Sequence, residues 1–77
     1  MMHVTGAITR INSKLPDGEP GHTVTLRFRP ADHLPEIEET YFVDEPFPGE
    51  VGQVAVVEIV QRRVVRVKGV TTQPKRD

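Results

Sequence analysis

Three histidines, one serine and a run of carboxylates are the groups through which this chain would hold a metal or cut a bond. His3, His22 and His33 lie more than ten residues apart, and with no cysteine in the chain none of them has a thiol beside it. Zinc sites are normally assembled from close-spaced ligand pairs. The nearest approach to one, Asp32-His33, falls in a proline-flanked stretch suited to a solvated turn. Hydrolytic chemistry needs a nucleophile with a base, or two carboxylates held apart in a pocket. Ser13, the only serine, has no glycine-flanked elbow around it, and Glu36, Glu38 and Glu39 read as a solvated strand edge. Gly18 to Gly21 is not a phosphate loop, because no Gly-Lys-Ser/Thr follows and no helix stands behind it. The expectation is a protein that is not an enzyme and holds neither metal nor cofactor.

Charge is more informative than reactive groups. The net value is only −1, yet the acids and bases are segregated along the chain. Asp32, Glu36, Glu38, Glu39, Asp44, Glu45 and Glu50 occupy a stretch without a single Lys or Arg, whereas Arg62, Arg63, Arg66, Lys68, Lys75 and Arg76 are opposed only by Asp77. Acidic and basic strands that face each other would neutralise one another. A bipolar surface would instead recognise a partner or stack molecules head to tail.

The elements that must carry these groups are strands. His3–Ile11 has apolar Val4, Ile8 and Ile11 with Thr5 and Thr9, and Gly6 inside it marks a bulge or a bend. Asn12 to Gly21 is dense in turn-forming residues and reads as a loop. From His22 to Arg29, Val24, Leu26 and Phe28 alternate with Thr23, Thr25, Arg27 and Arg29, so the apolar set faces inward and both arginines face solvent. Pro30 ends that ladder, and Pro30 to Pro35 has room for one helical turn. Glu36–Val43 is a third strand with an acidic edge at its start, and Phe47, held between Pro46 and Pro48, is placed to plug one end of the fold. Gln53 to Val70 reads as a hairpin with a three-residue loop, Gln61-Arg62-Arg63. In that register Ile59 faces Val65, Val57 faces Val67 and Ala55 faces Gly69, while Glu58 meets Arg66 and Val56 meets Lys68. The loop lacks the glycine such turns usually need.

These segments predict an all-β fold, a small five-stranded, partly open antiparallel barrel with at most one short helical turn, since closure removes edges that invite aggregation. Strand count and spacing over the whole chain resemble two small-barrel superfolds, the oligonucleotide/oligosaccharide-binding (OB-like) fold and the SH3-like barrel. Residues 1–70 form the single domain and 71–77 a disordered polar tail. With 36% hydrophobic residues and no Cys, stability must come from packing, helped by self-association. No stretch approaches the ~20 apolar residues of a membrane span, and no export signal opens the chain, so a cytoplasmic protein without membrane contact is expected. Protein–protein recognition or homo-oligomer formation asks least of this sequence. Single-stranded nucleic acid is the alternative partner, bound by a basic track of Arg27, Arg29, Arg62, Arg63, Arg66 and Lys68, with Tyr41 or its neighbour Phe42 as the spare aromatic.

Overall fold

Apolar–polar alternation, interrupted where an extra residue enters a strand, builds one ring of sheet. The computed structural model describes residues 1–15 and 17–72. Five strands, β1 (Met2–Lys14), β2 (Pro20–Phe28), β3 (Ile37–Val43), β4 (Gln53–Val60) and β5 (Arg63–Thr72), close in the spatial order β1-β2-β3-β5-β4, and no described residue is helical. Pro30 to Leu34 makes a turn, closed by the Leu34 N–H donating to the Ala31 carbonyl at 3.0 Å, in place of the helical turn allowed there. Among the described residues no helix is long and apolar enough to cross a membrane.

Four junctions are antiparallel as expected, but β3 and β5 run parallel and meet at only two residue pairs, Phe42 with Arg63 and Val43 with Val64. The ring is therefore closed by a short seam. The first half of β3 has no strand on its outer side, which is the acidic edge expected for that segment.

β1 extends well past the expected Ile11. Its first half pairs with β4 and its second with β2, the change of partner falling at Ala7. Gly6 faces inward there, and a Cβ on it would stand 3.0 Å from the Arg27 carbonyl oxygen and 3.2 Å from the Phe28 Cβ, so β2 crosses closely over it. The bulge is not at Gly6 but at Thr9, where β1 advances two residues for one on β2. That extra residue shifts the phase so that Val4, Ile8 and Ile11 all face the interior.

The β4–β5 hairpin departs from the expected register. Its turn is two residues, Gln61 and Arg62, both in the left-handed region with φ of 50° and 65°. Such a turn matches strand twist. Continued without interruption, it would set charges against valines. Two one-residue bulges in β5, at Val65 and at Lys68, correct the phase, so that Val64, Val67 and Val70 face inward opposite Ile59, Val57 and Ala55. Val65, expected in the core, is 53% exposed because it is the extra residue. Val4, Ile8, Val24, Leu26, Ala55, Val57, Ile59 and Val64 fill the interior, Tyr41 joins them, and Phe47 packs into the same cluster from the β3–β4 loop. Thr71 and Thr72, assigned above to the tail, end β5; positions 73–77 of that tail lie outside the described residues.

Candidate functional site

Strand alternation distributes the sequence-predicted cations over different parts of the ring, not along one track. Arg27 projects outward from β2, between Ala7 of β1 and Glu38 of β3. Arg29, one residue past β2, donates from Nη1 to the Leu34 carbonyl at 2.5 Å and closes the Pro30 turn. Arg62 lies in the β4–β5 turn with Nη2 3.6 Å from Glu39 Oε2. Arg63 opens β5, pairs with Asp44, and holds its guanidinium 5.9 Å from the centre of the Phe42 ring. Arg66 projects outward beside Glu58, and Lys68 is the exposed residue of a bulge, both on the opposite side of the ring.

Tyr41 is not a surface aromatic. It lies opposite Val24, inside the ring, and is only 4% exposed. Burial first, and then the carboxylate of Glu39, raise its phenol pKa above the ordinary 10.0, while Arg62 pulls it down. Its neighbour Phe42 takes the outer side and is 39% exposed. The inner end of this region opens as a depression of about 650 Å³ lined by Phe28, Ile37, Tyr41 and Ile59, with the Glu39–Arg62 pair in its wall.

Around Phe42 the outer surface of β1, β2 and β3 is organised in rows that cross the three strands. Phe42, Thr23 and Asn12 form one row; Thr40, Thr25 and Arg10 the next; Glu38, Arg27 and Ala7 the third, with the central Thr23 and Thr25 buried at 5% and 6% exposed, so that the flanking side chains make the surface. The Thr25 and Thr40 hydroxyls are hydrogen-bonded at 2.8 Å, and Thr9, the bulge residue, donates from Oγ1 to the Thr25 carbonyl at 3.4 Å. Lys14 stands at the end of β1, opposite Pro20. The turn after it is held by the Leu15 N–H on the Glu19 carbonyl and the Gly18 N–H on the Leu15 carbonyl, both 2.9 Å. On the other flank the Phe42 N–H donates to the Arg62 carbonyl at 2.8 Å, which fixes the β4–β5 turn against β3.

Arg10 and Lys14 are absent from the sequence-predicted cations because alternation without a bulge ends strand one at Ile11 and leaves Lys14 in a turn-rich loop. The signal was present in the spacing of Ile8 and Ile11, which makes Arg10 an outward residue once a bulge is allowed between them. Among the described residues the ion pairs are Arg62–Glu39 and Arg63–Asp44, so Arg10, Lys14 and Arg27 carry charge that no partner carboxylate holds. An aromatic ring capped by a guanidinium, with cations and hydroxyls beside it, can stack a planar group and hold an anion attached to it. Among the described residues no three His, Asp or Glu side chains converge on a point suited to a metal ion. The chain matches no protein-family model, no curated protein and no solved structure.

Proposed function

We propose that this chain is a non-enzymatic, OB-like binding barrel that holds single-stranded nucleic acid on the outer surface of β1, β2 and β3. The observation that carries the reading is Phe42, an exposed ring under the Arg63 guanidinium on that surface. Strand order supports it. β4 lies beside β1 in the sequence β4-β1-β2-β3, a Greek-key arrangement, and five-stranded Greek-key barrels of the oligonucleotide/oligosaccharide-binding kind use the β2–β3 surface and the β1–β2 and β4–β5 loops. Here those parts carry Arg27, Phe42, Lys14 and Arg62–Arg63.

A base stacks on Phe42 and the backbone phosphates run past Arg10, Arg27 and Lys14. One stacking platform contributes about 1–3 kcal/mol, so affinity is modest. A cytoplasmic setting belongs to the same proposal. The test is a titration of the ¹⁵N-labelled protein with a short single-stranded oligonucleotide at low salt. Amide shifts at Arg10, Thr23, Thr25, Arg27, Thr40 and Phe42 are expected. No shift on these strands, or shifts confined to β4 and β5, would overturn the proposal.

A further inference from the structure

The ring is incomplete beside the first half of β3. β5 reaches β3 only at Phe42 and Val43, so residues 37–41 form a strand paired on one side alone. In an antiparallel ladder the main-chain groups turn toward the partner and away from it at alternate residues. Phe42 turns its N–H away from β2, to the Arg62 carbonyl at 2.8 Å. Thr40 and Glu38, two and four residues earlier, therefore turn their N–H and C=O groups the same way, onto an edge where no strand stands. Lysine, proline and bulges are the usual guards of such an edge, and β3 has none of them there. Its guard is acid, with Glu38 facing out and Glu39 facing in.

The inner side of the same edge is the depression of about 650 Å³, to which β2 and β3 contribute Phe28, Ile37 and Tyr41, and β1 and β4 contribute Met2, Ile59 and Val60. A buried phenol ordinarily finds a hydrogen-bond partner. Tyr41 is 4% exposed, yet its hydroxyl has no partner among the described residues and is not sealed from solvent, so it opens into this depression. The Arg62–Glu39 pair at the mouth is largely exposed, and little holds it closed.

We infer that this edge takes up, as an added strand beside β3, an extended peptide in which apolar residues alternate with lysine or arginine. Strand addition draws affinity from main-chain hydrogen bonds and specificity from pockets for alternate side chains. The edge offers both. An added strand continues the alternation of β3, so its inward side chains enter the depression beside Ile37 and Tyr41 while its outward ones lie beside Glu38. An apolar lining meets the first set. The second is met by Glu38, and by Glu36 just ahead of the strand, both exposed and without an ion-pair partner among the described residues. Arg27 stands opposite Glu38 on the β2 side but does not close to an ion pair with it. The same acids oppose a second copy joined edge to edge, since each β3 would bring Glu36 and Glu38 against those of the other.

The test titrates the full ¹⁵N-labelled chain with short synthetic peptides: alternating Val and Lys, alternating Val and Glu, and the Val–Lys peptide methylated at its amide nitrogens. The Val–Lys peptide should shift the amides of Glu38, Glu39, Thr40 and Ile59, and should slow hydrogen exchange at Glu38 and Thr40. The Val–Glu peptide should bind about tenfold or more weakly, because like charges then meet at Glu38. The methylated peptide, with the same side chains, should also lose about tenfold or more, because its main chain no longer donates. The inference is overturned if the Val–Lys peptide leaves β3 unshifted or shifts other strands instead, if exchange at Glu38 and Thr40 is unchanged when it binds, or if either control peptide binds equally well.

Discussion

Tyr41 and Phe42 are adjacent aromatic residues with opposite fates, and the pairing of β3 with β2 separates them. Val24 opposite Tyr41 draws the phenol into the core, which leaves Phe42 opposite Thr23 on the outside. Because burial raises the Tyr41 pKa in the folded state, the neutral phenol is what the fold stabilises. That contribution is complete below the unfolded pKa of about 10 and is lost as pH rises through the higher folded value. Urea midpoints measured from pH 8 to 11.5 should therefore fall above pH 10, and less steeply in Tyr41→Phe; equal slopes would remove the phenol from the account. Gly6 has an equally specific role. With the Arg27 carbonyl 3.0 Å from where a Cβ would stand, the obstacle is backbone, so Gly6→Ala should cost about 2 kcal/mol in denaturant unfolding.

At the scale of elements, the β4–β5 hairpin shows a conflict between turn geometry and side-chain phase. A two-residue turn suits the twist, but it offsets the apolar set by one position. The bulges at Val65 and Lys68 restore the match, and β5 consequently presents inward residues at intervals of three, Val64, Val67 and Val70. Adjacent valines thus differ sharply. Val64→Ala should destabilise by about 2 kcal/mol, as removal of buried methyl groups does, whereas Val65→Ala should stay within about 0.5 kcal/mol as a surface change. Comparable losses at both positions would restore the three-residue loop. The turn itself holds two non-glycine residues at positive φ. Gln61→Asn with Arg62→Gly should therefore raise stability by about 1 kcal/mol, and a lower denaturation midpoint in that variant would count against backbone strain there.

At the scale of the whole molecule the cations are divided between the two sides of the ring, Arg10 and Arg27 over β1–β2–β3 and Arg66 and Lys68 over β4–β5. Oligonucleotide affinity should fall with a log–log slope of about −2, from Arg10, Lys14 and Arg27, which no carboxylate among the described residues pairs, at about −0.7 each on a single strand. Phe42→Ala should weaken oligonucleotide binding by the stacking contribution, about 1–3 kcal/mol. An unchanged affinity in Phe42→Ala would remove the ring from the binding surface.

Local pattern was enough to identify the strands and much of the core. Val24 and Leu26 alternate with polar residues, Val57 and Ile59 sit in a β-branched run, and Phe47 between prolines had nowhere to go but inward. Phase inside a strand with an extra residue was not legible in the same way, since a bulge depends on which neighbour must be matched; Val65 and Arg10 were misplaced or missed for that reason. Nor does alternation say which of two adjacent aromatic residues faces out until a partner strand is chosen. Ring closure, the parallel β3–β5 seam and the gathering of Arg10, Arg27, Phe42 and Arg63 onto one surface depend on contacts between segments distant in the chain, and those exist only once the sheet has closed.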